Sequence, residues 1–269
     1  ARERTLTGSP IPPGLDATLV LVRHGESEYI VAGRFQGQAE TPLSETGRRQ
    51  AGLVAERLAD LGRSPALPIP TDPPHEIVHS PLGRAAQTAA AIAAAHPAQP
   101  ALRPDPAFSE IGQGEWEGLH RDEIETRFGD TLAGWRLRPT EVWAPGGESL
   151  ATVAERVRDG LATTLAGLVD GRARPPRDHV AGYGPPRHDG PWSIVVGHDG
   201  VFKVTMLTLF DLPLERFWMW SFDLCAITVV ELRAGRPVMR AHNLTGHLAP
   251  VLDAAALAER SAREATGAL

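Results

Sequence analysis

The sequence predicts an α/β fold, a three-layer α/β/α sandwich with a central, mostly parallel sheet. Two near-continuous apolar runs, Thr18–Val22 and Trp192–Val196, have the composition of strands buried on both faces of a parallel sheet. Amphipathic segments at helical spacing alternate with these runs. The connections are short, which requires right-handed crossovers.

In chain order, residues 1–16 read as an extended arm ahead of one domain over 17–269. After the strand at 18–22, a helix is expected over 44–61. Leu53, Val54, Ala55, Leu58 and Leu61 recur at helical spacing, with Ser44 as cap and Gly62 as stop. A proline-rich connection over 65–74 leads to a short strand at 76–79, and the alanine-rich stretch 84–95 is a strong helix former. A glycine- and acid-rich loop comes next at 109–118, then helical pieces at about 120–137. Val153, Val157, Leu161, Leu165 and Leu168 mark a long amphipathic helix over 149–168. Residues 170–191 are dense in Pro, Gly and Arg and read as a surface insertion, with a substrate lid as the lesser alternative. Beyond the strand at 192–196 come a helix at 199–210, a closing pair of strands at 226–232 and 238–241, and a last helix at 254–263.

Composition narrows the function. The formal net charge of −6 argues against a DNA-reading surface, and nucleic acid is not an expected partner. Anionic ligands must then be drawn in by local Arg and His clusters. Cys225 is the single cysteine, so an intramolecular disulfide is excluded, and its apolar surroundings mark a core thiol. No apolar stretch approaches the ~20 residues of a membrane span, and residues 1–16 contain no hydrophobic signal region. The expected location is the cytoplasm, with no membrane partner.

In a parallel α/β sheet the ligand lies beyond the carboxyl ends of the strands. Arg23-His24-Gly25-Glu26-Ser27 comes after the first strand, Ser80-Pro81-Leu82-Gly83-Arg84 after the second, and Gly197-His198-Asp199-Gly200 after the strand at 192–196. Two histidines and two arginines thus converge on one crevice. Arginine matches phosphate oxygens with a planar fork of donors, and helix N-termini add N–H groups. A neutral imidazole is a nucleophile toward phosphorus. Neighbouring guanidinium groups should keep His24 neutral, and Gly25 should let the backbone approach the anion. Breaking a phosphate ester also needs an acid to protonate the departing alkoxide, worth ~10²–10⁴ in rate. Glu110, Glu115 and Glu117 in the loop at 110–118 all compete for that task on spacing alone.

These segments resemble the histidine phosphatase superfamily, the phosphoglycerate-mutase-like group, from about Leu19 to His242. Arg23–Ser27 matches the group's opening signature. Gly33-Arg-Phe-Gln-Gly37, Pro42–Ser44 and Gly47–Ala51 match the stretch that usually comes next in the group. Ser80–Thr88 matches the second signature, Glu110 with Gly114–Gly118 the acid loop, and Gly197-His198 the third signature. The resemblance implies a catalytic domain with His24 as phosphorylated nucleophile, Glu110 as acid and then base, and Arg23, Arg84 and His198 as phosphate clamp. Ser27, in the opening signature, is a candidate substrate-binding residue, and Gln36 and Gly37 would lie over the substrate. It implies no metal and no cofactor. Two departures stand out: Ile30 replaces an Asn that usually contacts phosphate, and Asp199 succeeds the second histidine as in the acid-phosphatase and phytase branch. Asp199 is therefore a rival acid to Glu110, or otherwise a helix cap.

The expected reaction is hydrolysis of a small-molecule phosphomonoester. The alternatives are a mutase, whose paired arginines Arg136-Leu-Arg138 approximates, and a non-catalytic phospholigand-binding protein. Arg136 and Trp143 are candidate substrate-binding residues. Phe217-Trp-Met-Trp220 is expected to be mainly buried, with Trp218 or Trp220 at a homodimer contact as the lesser reading.

Overall fold

The computed structural model describes residues 8–169 and 184–252. The strands β1 (Ala17–Arg23), β2 (Ile77–His79), β3 (Leu102–Pro104), β4 (Trp192–Gly197), β5 (Ile227–Arg233) and β6 (Arg236–Leu244) form one six-stranded sheet, ordered β3-β2-β4-β1-β5-β6. β4 pairs in parallel with both β1 and β2, and β2 with β3. β5 runs antiparallel to β1 and β6 antiparallel to β5.

The helices are α1 (Glu28–Val31), α2 (Glu45–Ala59), α3 (Gly83–Ala95), α4 (Arg121–Leu137), α5 (Leu150–Ala166) and α6 (Asp199–Leu209). They cover both faces of the sheet. Side chains alternate along a strand, so Leu19 and Leu21 of β1 join one core with α5 and α6, while Val20 and Val22 join the other with α2 and α3. This explains why β1 reads as a continuous apolar run. The expected three-layer sandwich is the architecture observed.

Local signals held where they were strongest. Ser44 caps α2 by accepting from Gly47 N at 3.0 Å, and Ser149 caps α5 by accepting from Thr152 N at 3.1 Å. The chain leaves α2 at Asp60, two residues before Gly62. β3 has no signal in the sequence: three residues ending in Pro104, with exposed Leu102, give no apolar run and suit only a sheet edge.

The part of the arm that is described is docked, since Ile11 and Leu15 are buried in the core with β1 and α5. Of the segment 170–191, residues 184–191 lie at the end of the sheet away from His24. Arg187 pairs with Asp16 at 2.6 Å, and Thr18 N donates to Pro191 O at 3.0 Å. That portion forms no lid over the strands' carboxyl ends; residues 170–183 and the expected helix at 254–263 lie outside the described residues. In the cluster 217–220, burial holds for Phe217, but Trp218 and Met219 are exposed. Trp218 places its ring against Trp135 and under the Lys203 ammonium instead of in the core. Cys225 is fully buried, and that burial raises its thiol pKa.

Candidate active site

The parallel strands β2, β4 and β1 end side by side. His24 N donates to Gly197 O and Ser80 N to Val196 O, each at 2.9 Å, so the residues just beyond the three strands are fixed by extensions of the sheet's own hydrogen bonds. The imidazoles of His24 and His198 meet edge to face with ring centroids 4.9 Å apart. Both residues are buried, at 2% and 0% exposure.

His24 Nδ1 lies 2.6 Å from the carbonyl oxygen of Gly25. A carbonyl only accepts, so Nδ1 carries the proton and Nε2 the lone pair. The His24 pKa is held well below the usual imidazole range, first by burial and then by the charges of Arg23 and Arg84. That of His198 is lowered in the same way, by burial and then by His24 and both arginines. His198 Nε2 meets Ser80 Oγ at 2.8 Å.

The two arginines are anchored through one edge. Arg84, fully buried, donates from Nη2 to Gly37 O at 2.7 Å and from Nη1 to Ala39 O at 3.0 Å. Arg23 Nη1 donates to Phe222 O at 2.6 Å. Arg23 Nε, Arg84 Nε and His198 Nδ1 are buried without a partner among the described residues. Gly25 is also required by packing: a Cβ there would lie 2.5 Å from the carbonyl oxygen of Gly47 in α2.

The two candidate acids are held differently. Glu110 lies at the start of α6, where Oε1 accepts from Ile111 N and Val201 N at 2.9 Å and Oε2 from Gly200 N at 3.1 Å. Asp199 is the first residue of α6, but its side chain caps nothing. It pairs with Lys203 Nζ at 2.6 Å and accepts from Phe222 N at 3.1 Å. Both its oxygens are thus committed to structural partners.

Ser27 caps α1 and donates to Gln36 Oε1 at 2.6 Å, so these two residues brace one another. Gly37 supplies a carbonyl to Arg84. Trp143 lines a notch beside Ile111, Gln113 and Trp116 of the acid loop. Arg136 is exposed and faces Glu125 at 3.7 Å, while Arg138 pairs with Glu141 at 3.2 Å. Ile30 lines a cleft of about 370 Å³ with Arg23, Gln50, Asp223, Leu224 and Leu248.

Sequence reasoning missed Arg156 and Glu148. Arg156 meets Glu148 at 2.9 and 3.0 Å and also donates to the carbonyls of Ala107, Ser109 and Glu110. Glu148 in turn accepts from Gly112 N at 2.8 Å. The pair grips the acid loop along its length. The local signal is slight: Glu148 before the Ser149 cap and an arginine two helical turns later, one of several charged residues on this amphipathic helix.

The family model described as histidine phosphatase superfamily (branch 1) matches residues 19–245. The chain belongs to that superfamily. It is 30% identical over 230 residues to phosphoserine phosphatase 1 of Hydrogenobacter thermophilus, covering 86% of this chain and 93% of that one. It is 34% identical over 201 residues to glucosyl-3-phosphoglycerate phosphatase of Mycobacterium tuberculosis, covering 74% and 78%. The solved structure of mycobacterial glucosyl-3-phosphoglycerate phosphatase with VO3 superposes with a TM-score of 0.67 at 28% identity, covering 85% of this chain and 99% of that one. Phosphatase activity toward small phosphorylated molecules is therefore represented among this superfamily member's relatives.

Proposed function

We propose that this histidine phosphatase superfamily member hydrolyses a small phosphomonoester through a phosphohistidine at His24. The observation that carries the reading is the pair of buried, neutral imidazoles 4.9 Å apart, flanked by Arg23 Nε and Arg84 Nε, which have no partner among the described residues. Phosphate oxygens would satisfy those donors.

His24 Nε2 attacks phosphorus, forming an N–P bond as the ester O–P bond breaks. Arg23, Arg84 and His198 stabilise charge on the equatorial oxygens. Glu110, protonated for this step, gives its proton to the departing oxygen; its carboxylate then takes a proton from the water that attacks phosphohistidine. Inorganic phosphate leaves, and His24 returns neutral. The reaction needs no metal for this proton and charge traffic. The cleft beside Arg23, walled by Ile30, Leu224 and Leu248, suits a leaving group of mixed polarity. The names of the two curated relatives, phosphatases of phosphoserine and of glucosyl-3-phosphoglycerate, support a phosphorylated metabolite as substrate.

Rapid acid-free quenching with ³²P-labelled substrate tests the reading. Wild type should yield an acid-labile phosphoenzyme and a burst of product, and His24→Ala should yield neither. Phosphate migration on 3-phosphoglycerate without release of inorganic phosphate would instead identify a mutase.

A further inference from the structure

A second concentration of positive charge lies away from this crevice, where α2 ends against the turn beyond β6. A pocket of about 250 Å³ opens there, lined by Arg57, Arg63, Ser64, Leu67, Leu244 and His247 among others. It shares no lining residue with the catalytic set, and no carboxylate lines it.

Arg57 is only 6% exposed, yet neither it nor Arg63 has a carboxylate within ion-pair distance among the described residues. Arg57 donates to the carbonyls of Asp60 at 3.1 Å and Pro65 at 2.5 Å, which fixes the turn after α2 but leaves its charge without a counterion. Its pKa is lowered by burial and then by Arg63, while Asp60 opposes the shift from a distance. A desolvated cation facing a second cation is costly unless an anion joins them. His247 adds a third group of a different kind: Nε2 donates to Cys225 O at 3.0 Å, so the proton is on Nε2 and Nδ1 is an acceptor. Leu67 and Leu244 supply an apolar wall, and Ser64 a hydroxyl that can donate.

We propose that this pocket is a second anion site, which takes the phosphate group of a small molecule between Arg57 and Arg63, with His247 Nδ1 as acceptor for a protonated phosphate oxygen. The site is distinct from the one that would perform hydrolysis and does not depend on it. Its volume admits inorganic phosphate or a compact phosphorylated molecule, but not a nucleotide-sized one.

The test counts phosphate sites by calorimetric titration at low ionic strength, with inorganic phosphate in one arm and benzylphosphonate, which is not hydrolysed, in the other. Wild type should bind two equivalents of at least one probe. Arg63 is exposed, so Arg63→Ala and Arg63→Glu should fold normally. The first should weaken one equivalent about tenfold and the second abolish it, because the cation's attraction becomes repulsion. The other equivalent should be unchanged. The probe that binds the Arg63-dependent site more tightly shows whether free phosphate or a phosphorylated molecule is the ligand. A single equivalent lost in Arg63→Glu would uphold this site while counting against the crevice. One or two equivalents, none sensitive to either substitution, would overturn the proposal.

Discussion

Glu148 and Arg156 form a two-pronged ion pair, with Arg156 Nε on Oε1 at 3.0 Å and Nη2 on Oε2 at 2.9 Å. The pair stands between α5 and the loop bearing Glu110. Its other bonds run to backbone groups at 107–112, including Glu110 O at 3.0 Å, and to the Gln38 side chain, which donates to Glu148 Oε2 at 3.0 Å. The carboxyl proposed to handle the proton is thus positioned by a clamp on its own loop. Arg156→Ala should lower kcat at least tenfold with little change in KM, because the acid is displaced and the phosphate clamp is left in place. It should also cost about 3 kcal/mol of stability in urea unfolding, since Glu148 is left partly buried without its counterion. Arg156→Lys should restore part of the stability but little of kcat, as an ammonium cannot span both oxygens and three carbonyls. An equal loss of KM and kcat in the alanine variant would mean that the pair supports the fold generally.

The choice between Glu110 and Asp199 rests on their partners. Glu110 is held by three backbone N–H groups, whereas Asp199 is tied to Lys203 and Phe222 N. Glu110→Gln should lower kcat by ~10²–10⁴ on an alkyl phosphate, and by far less on p-nitrophenyl phosphate, whose leaving group departs without a proton. Asp199→Asn should stay within about tenfold of wild type on both. A loss specific to alkyl phosphates in Asp199→Asn, with Glu110→Gln unaffected, would exchange the two roles.

Much of this arrangement is legible in the chain because it depends on neighbours in sequence. Leu19 to Val22 reveal a strand with two buried faces, and a residue directly after such a strand, as His24 and His198 are, must reach the carboxyl edge of the sheet. What cannot be read is what only the fold brings together. Arg156 meets Ala107 and Ser109 across nearly fifty residues. The contact of Arg136 with Glu125, three helical turns earlier and beyond the non-helical Phe128, is likewise set by the fold. Asp199 comes after a histidine and opens a helix, so it suits an acid or a cap; the Lys203 one turn later takes it instead.

Gly37 occupies the left-handed region at φ +50°, and a Cβ there would collide with Glu117 Oε1 and lie 2.8 Å from Gln113 N. Glu117 Oε1 is already the acceptor for Gln38 N at 2.8 Å and Gln113 N at 2.9 Å, so it has no free direction in which to yield. Gly37→Ala should destabilise the fold by about 1–3 kcal/mol through strain at this φ. Because Gly37 O also orients Arg84, the same variant should raise KM for the phosphoester or the Ki of inorganic phosphate severalfold. Unchanged phosphate inhibition would separate that carbonyl from the clamp.

Buried histidines with lowered pKa values make the fold sensitive to acid. Burial is the leading cause of the lowered pKa at His24, His198 and His247, and for His247 the value is pushed down to about 4. Below an unfolded pKa near 6.5 the unfolded chain binds protons that the folded chain refuses. Stability is therefore complete above about pH 6.5 and falls as pH drops toward the folded values, by up to about 1.4 kcal/mol per pH unit for each histidine. For His247 the window closes near pH 4. His247→Gln, which keeps a donor for Cys225 O, should flatten the decline of the urea midpoint between about pH 6.5 and 4 while leaving the midpoint at about pH 8 nearly unchanged. The same depression at His24 places the acid limb of kcat/KM below about pH 6.5, because the nucleophile is neutral above it. An acid limb centred at or above about pH 6.5 that is missing when a pre-formed phosphoenzyme is assayed would show that His24 is charged in the free enzyme, contrary to its buried, arginine-flanked setting.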